Sequence, residues 1–323
     1  MEYCVAIRTL GTAGEKYQTL LESLDRQTIK PKKIFVYIPY GYEIPKETIG
    51  WEEYIRCPKG MMTQRSLSFD EIDTDYILFC DDDLWLADDF VEKSYKDLCI
   101  KKADCIAPDI FKIQESSFFE KFKIAISGYC FTRKNDGWAF KIMRNGSYTY
   151  NNHPSDVVLP SESAAGACVL IKKKTYQKIH FEDECWLEDF GYPLGEDLLF
   201  FHKLFIMGFR VYVHYGLNIK HLDAGAGSKS IPNNWIRKNA AISVAIPYRI
   251  KYLLNDISIF EKMKVIISCS MKFVEQFLFL TIKYLVKYRR LVSLEYLKGI
   301  IDGYRYVHSE HFLSKPKFDA YKR

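Results

Sequence analysis

Three consecutive aspartates, Asp81-Asp82-Asp83, close the apolar run YILFC from Tyr76 to Cys80. A run of this length, entered from Thr74-Asp75 and left through carboxylates, predicts a buried strand. Three acids at its exit bring like charges together, which is unfavourable unless a cation or a ring of donors compensates. Hard oxygen ligands of this kind suit Mg2+ or Mn2+, which keep waters and complete their shell with substrate phosphates. In open α/β sheets, ligands sit beyond the carboxyl ends of strands, where these residues lie. The triplet therefore points to a divalent-metal diphosphate site. Its alternative is a solvated loop, and Asp88 or Asp89 has the look of a helix N-cap before FVEKSYKDL.

The residues around the triplet alternate strand and helix patterns over the first hundred positions, which predicts α/β architecture with a mostly parallel sheet. Tyr3 to Arg8 is the first strand, and Tyr17, Leu20, Leu21 and Leu24 stand at helical spacing after it. Lys33 to Ile38 is a second strand ending in the turn Pro39-Tyr40-Gly41. Met61 to Glu71 reads as a helix, as does the segment from about Asp89 to Ile100. From about Pro108 to Pro160 the pattern is irregular, with a candidate ribbon at SYTYN (Ser147 to Asn151). SAAGACVLIKKKTYQKI reads as a small-residue turn, a strand and a short helix. A helix then opens at Gly195-Glu196-Asp197 and closes near Gly208. Arg210 to His214 is a further strand, and Ile219 to Gly227 a loop holding His221.

Across 323 residues, an apolar fraction of 48% permits a substantial core and argues against disorder. A net charge of only +5 gives no global footprint for nucleic acid. The nine cysteines show no CxxC pair and no Cys/His spacing suited to zinc, and several lie in strand-like runs, as expected of reduced core thiols. MEYCVAIRTL lacks the features of a signal peptide, so a cytoplasmic setting is expected. From Arg249 to Arg290 there are nine Lys and Arg against three acids. At about 100° per residue, Met263, Ile266, Ile267, Phe273, Val274, Phe277, Leu278, Thr281 and Leu285 fall on one half of a helix. Lys264, Lys272, Glu275, Lys283, Arg289 and Arg290 fall on the other. Charges are expected to interrupt each apolar run short of the roughly 18 residues of a spanning helix. A basic amphipathic helix in contact with an anionic membrane surface is the favoured expectation; packing on the catalytic domain or a second subunit is the alternative.

The order of these features resembles family 2 of the glycosyltransferases, the inverting group with a GT-A fold. The resemblance covers about Tyr3 to Gly227. CVAIRTLGTAGEKYQTLLESLDRQT looks like the family's opening strand and helix, and KKIFVYI like its second strand. KGMMTQRSLSF is similar to the segment with a basic residue near the diphosphate, and YILFCDDDLWLADDFVEK to the metal motif. SAAGACVLIKKKTYQKI resembles the acceptor-side strand, GEDLLFFHKL the helix bearing the base, and NIKHLDAG the loop with a metal-binding histidine. More loosely, NWIRKNA and YLKGIIDGYRYVHSE look like the tail of bacterial rhamnosyl- or galactofuranosyl-type members that build surface polysaccharides. The implied division is a GT-A domain over 1–227 and a helical, membrane-associating region over 228–323.

The resemblance implies that Asp81 and Asp83 are the outer acids of a DxD motif. Asp83 would touch Mn2+ or Mg2+, and Asp81 would face the ribose or a metal-bound water. Asp82 is the variable middle position, and His221 a further metal ligand. Asp197 would be the general base, with Glu196 positioning the acceptor or tuning that base; acids at a helix start also satisfy free backbone N–H groups. Arg65 would meet the diphosphate, while Arg8 and Thr9 would line the nucleotide pocket. The family's second strand commonly ends in an acid that reads the nucleobase, and IFVYIPYG has none. UDP- or dTDP-sugars remain the expected donors, and a saccharide, free or lipid-linked, the expected acceptor. Homo-oligomerisation stays open, and the expected location is cytoplasmic, peripheral to the inner face of the cell membrane. Trp138, Trp186 and Tyr192 are candidate sugar platforms, with core packing as the alternative. Two other classes stay open: a sugar-nucleotide nucleotidyltransferase and a non-catalytic partner in a polysaccharide assembly complex.

Overall fold

The computed structural model describes residues 1–110, 137–151, 156–191, 194–222, 233–250, 258–288 and 293–316. In chain order the elements begin with β1 (Tyr3–Arg8), α1 (Glu15–Asp25), β2 (Lys33–Pro39), β3 (Glu53–Cys57) and α2 (Met61–Arg65). Next come β4 (Tyr76–Asp81), β5 (Leu84–Leu86), α3 (Phe90–Ile100), β6 (Cys105–Pro108), β7 (Phe140–Ile142), β8 (Tyr148–Tyr150) and β9 (Val158–Pro160). They are followed by β10 (Cys168–Lys172), α4 (Lys173–Lys178), a 3₁₀ helix (Phe181–Phe190), α5 (Glu196–Ile206), β11 (Val211–His214) and β12 (Ile219–His221). Four helices close the described chain: α6 (Asn233–Tyr248), α7 (Ile259–Tyr288), α8 (Ser293–Val307) and α9 (Glu310–Leu313).

Eight strands form one sheet in the order β3-β2-β1-β4-β10-β6-β11-β9. β3, β2, β1 and β4 run parallel, as do β6 and β11. β10 lies antiparallel between β4 and β6, and β9 is antiparallel to β11. The sheet is mostly parallel and flanked by helices, consistent with the GT-A architecture.

Both faces are covered, which explains strands that read as continuous apolar runs rather than alternating ones. Val5, Ile7, Val36 and Leu78 pack with Leu20 and Leu24 of α1 and Phe90 and Leu98 of α3. Their neighbours Cys4, Ala6, Phe35 and Phe79 turn to the opposite face, as the two-residue strand period requires. That second core contains Leu199 and Phe201 of α5 and Trp186 of the 3₁₀ helix. It also takes in Ile236, Ala241 and Ile246 of α6, and Tyr296 and Ile300 of α8. Gly299 and Gly303 allow α8 this close to α6: a Cβ at Gly299 would stand 2.2 Å from the Arg237 carbonyl oxygen. The division expected at residue 227 falls outside the described residues.

Several local expectations are corrected. The helix predicted over Met61 to Glu71 stops at Arg65. Phe69 takes a left-handed φ of 51° and drives its ring between Tyr37 and Phe79. The Tyr176 hydroxyl meets the Arg65 and Leu67 carbonyls at 2.7 and 2.8 Å, satisfying oxygens released at the helix end. Asp89 does occupy the N-cap position of α3, yet its side chain caps nothing. It pairs with Lys93 at 2.8 Å, while Asp88 meets Arg26 at 3.4 Å. The expected ribbon at Ser147–Asn151 is present as β8, paired with β7. Trp186 is 1% exposed and belongs to the core. Trp138 is half-buried, edge-on to Phe205 and under the Lys141 ammonium. Tyr192 lies outside the described residues.

α7 departs from expectation as well. Ile259–Ile282 is long and apolar enough, by length and composition, to cross a membrane, with mean hydropathy 1.6 and 17% of its most apolar window buried. From Val265 to Ile282 the charged residues are only Lys272 and Glu275, so the expected interruption of the apolar run is weaker than its length suggested.

Candidate active site

The carboxyl ends of β1 and β4 build the floor of a cleft of about 900 Å³. Parallel pairing sets Arg8 opposite Asp81 at the last rung of both strands, and Arg8 Nη2 donates to Asp81 Oδ1 at 2.7 Å. One residue further along each chain, Thr9 Oγ1 donates to Asp82 Oδ2 at 2.5 Å. Burial pushes the Asp82 carboxyl up; the Thr9 hydrogen bond opposes this, and the neighbouring Asp83 and Asp81 charges add to it. Arg8 Nε is buried and finds no hydrogen-bond partner among the described residues. Burial and the nearby Arg65 charge together lower the Arg8 pKa.

Asp83 lies beyond the strand, in the tight turn into β5. Of the loop expected over Ile219 to Gly227, the first three residues form β12, which pairs antiparallel with β5 and sets His221 opposite Leu84, while residues 223–227 lie outside the described residues. The Leu222 amide donates to the Asp83 carbonyl at 2.7 Å. This two-stranded ladder brings His221 Nε2 to 3.1 Å from Asp83 Oδ1. Sequence reading missed the strand because three residues are too few to show a period. Among the described residues no group of three or more His, Cys, Asp and Glu side chains is arranged to hold a metal ion. Asp83 and His221 offer one oxygen and one nitrogen donor lining the cleft, a set that suits Mn2+ or Mg2+ sharing its shell with phosphate oxygens. Asp81, by contrast, is already engaged by arginine.

The third component comes from α5. Its N-cap, Gly195, has φ 85°, and its first turn presents Glu196 and Asp197. Arg65, from the end of α2, hydrogen-bonds Asp197 and approaches Glu196 at 3.6 Å and Asp81 at 3.8 Å. Burial acts to lower the Arg65 pKa, but Asp197, Asp81 and Glu196 together raise it, so the guanidinium is charged. Burial first, and the adjacent Asp197 charge second, push the Glu196 carboxyl up to about 7 against the pull of Arg65.

Two residues that the sequence did not single out make this approach possible. Gly166, in the small-residue turn before β10, lets Arg65 and Asp197 meet. A Cβ there would lie 1.8 Å from Asp197 Oδ1 and 2.4 Å from Arg65 Nη1. Glu188, from the 3₁₀ helix, accepts from the Thr63 amide at 2.9 Å and its hydroxyl at 3.1 Å, fixing the short helix that carries Arg65. It also lines the cleft, with Lys16 and Lys59. The turn SAAGA was a visible signal for Gly166; Glu188 stands in the acid-rich stretch FEDECWLED, where nothing marks one carboxylate over another.

Residues 53–159 match a family model described as glycosyl transferase family 2. The matched segment contains β3, α2 and all three aspartates. A solved structure, the crystal structure of GalNAc-T7 with UDP, GalNAc and Mn2+, is similar to the chain with 13% identity and a TM-score of 0.49. The similarity covers 90% of this chain and 58% of that one, so this chain spans less than two thirds of that protein's length. No curated protein sequence matches the chain.

Proposed function

We propose that the protein transfers a sugar from a nucleotide-sugar donor to a saccharide acceptor with inversion at the anomeric carbon. The observation that carries this reading is the meeting, in one cleft, of two largely buried arginines and an Asp83–His221 pair, with a carboxylate at a helix start, Asp197, held on one of those arginines. The family match over residues 53–159 supports the same class.

On this reading the donor diphosphate lies along the ends of β1 and β4. Arg8 and Arg65 are its charged contacts, since a guanidinium binds phosphate oxygens in a fixed fork. Thr9 lines the nucleotide side of the cleft, with Asp82 held against it. Mn2+ or Mg2+, when held by Asp83 and His221, would neutralise charge growing on the leaving diphosphate. Asp197 takes the proton from the attacking acceptor hydroxyl. Glu196, part-protonated near neutral pH, limits the negative charge around that base and helps to place the acceptor. UDP and dTDP are the proposed nucleotides. The setting in bacterial-type surface polysaccharide synthesis, with an acceptor carried on a lipid, rests on the resemblance of the C-terminal segments. It is also compatible with the apolar outer face of α7.

Calorimetry with UDP or dTDP, with and without Mn2+, tests the assignment. Asp83→Ala and His221→Ala should each remove the metal-dependent part of nucleotide binding. Binding that keeps its metal dependence in both variants would refute the role of the pair.

A further inference from the structure

We infer that α7 docks the protein on an anionic lipid surface, lying in the plane of the interface with its outer face inserted rather than crossing the bilayer. This goes beyond the sugar-transfer reading and stands independently of it.

α7 turns its polar contacts toward the protein and its apolar side away from it. Val265, Ser268 and Cys269 are buried. Glu261 pairs with Arg144 at 3.1 Å, Lys272 Nζ reaches the Asn145 carbonyl at 3.4 Å, and Phe273 meets the ring of Tyr304 on α8. On the far side, Met263, Ile266, Ile267, Val274, Leu278 and Ile282 are each between 46% and 64% exposed. At about 100° per residue these six share an arc about 160° wide. A water-facing helix surface normally carries the charges, so the polarity here is reversed.

The width of the arc favours a plane over a helical partner. Helices that pair through a coiled-coil seam use about two residues in seven, a much narrower stripe. From Met263 to Ile282 the face runs about 28 Å along the axis. α8, which packs beside α7, likewise exposes Leu294, Leu297 and Ile301 at three- and four-residue spacing. Charge favours lipid over a second copy. The helix sequence holds five lysines against two glutamates, which anionic headgroups attract and an identical helix repels. Lys264 sits at the edge of the arc, paired with Glu261 at 2.7 Å and 4.5 Å from the Phe260 ring centroid. Because Glu261 is shared with Arg144, the ammonium can exchange that exposed pair for a headgroup while its stem stays on apolar surface.

Crossing is disfavoured despite sufficient length. Glu261 and Lys272 are tied to Arg144 and Asn145 in the turn between β7 and β8, and a spanning α7 would carry that polar side into hydrocarbon. An interfacial helix keeps it on the protein.

The test is flotation of the full chain with phosphatidylcholine vesicles, with and without phosphatidylglycerol. It is followed by a carbonate wash, with light scattering of the lipid-free protein. The chain should float with the anionic vesicles and be released by carbonate. Ile267→Glu combined with Val274→Glu and Leu278→Glu should weaken that binding about tenfold or more with an unchanged melting temperature, because all three side chains already face water. A Lys264→Gln variant, which leaves the apolar face intact, should bind more weakly only where anionic lipid is present. No flotation would overturn the proposal, as would a lipid-free dimer broken by the triple substitution, or resistance to carbonate. Because vesicle binding is read without any sugar donor, its failure is distinct from failure of the transferase reading.

Discussion

Asp197→Asn is expected to lower turnover about 100-fold or more while leaving donor affinity nearly unchanged, the usual scale for loss of a general base. The substitution keeps the shape of the side chain and an oxygen that can accept from Arg65, but removes the ability to take a proton. Arg65 makes the control essential, because it touches Asp197 and also stands 3.8 Å from Asp81 on the donor side. If the variant disturbed Arg65, nucleotide affinity would fall with turnover. A loss confined to turnover assigns the effect to proton transfer. Near-normal transfer by Asp197→Asn would remove Asp197 as the base.

The largest stability effect is expected at Glu184, which does not line the cleft. Its carboxylate is fully buried with Lys203 at 3.0 Å and Arg249 at 2.7 Å, and it accepts from the Trp186 indole at 2.7 Å. This cluster joins the 3₁₀ helix to α5 and to the end of α6. Arg249 also donates to the Pro316 carbonyl at 2.8 Å, tying in the C-terminal end. Burial works to raise the Glu184 pKa, but Lys203 and Arg249 outweigh it and hold the carboxyl down at about 2. A group whose pKa is lower in the folded than in the unfolded chain stabilises the fold above its unfolded value and loses that contribution as pH falls. The contribution is therefore full above about pH 4.5 and disappears as pH drops through about 2. Glu184→Gln strands two buried cations and should cost about 3–5 kcal/mol at neutral pH. In urea denaturation, the gap between wild type and variant should narrow as pH is lowered from about 5. A gap below about 1 kcal/mol at neutral pH, or one that widens in acid, would contradict this reading.

The fold was legible where strands are long and helices clearly periodic. β1, β2, β4 and α1 follow from apolar runs and spacing alone, and the small-residue turn before β10 was visible as such. What escaped was set by tertiary contact. α2 ends early because Phe69 is drawn into an aromatic cluster with Tyr37 and Phe79, a pull that no local propensity records. β12 exists because β5 offers it a ladder. The candidate site divides in the same way. The aspartates stood out through their chemistry at a strand end, whereas Arg65, His221 and the acids of α5 were singled out only by the resemblance to a glycosyltransferase family. That Arg65 bridges Asp81 to Asp197, and that Gly166 makes room for it, depends on segments about 100 residues apart in sequence meeting in space.

Sugar transfer from a nucleotide donor is tested by offering the purified chain a panel of UDP-, dTDP- and GDP-sugars with Mn2+ or Mg2+ and a saccharide or membrane-lipid acceptor extract, and measuring nucleotide release against an EDTA control. Metal-dependent release of a nucleoside diphosphate from one donor, abolished in Asp83→Ala, is the predicted result. Release of pyrophosphate from a nucleoside triphosphate in the same assay, or no turnover of any donor by folded protein supplied with acceptor extract, would contradict it.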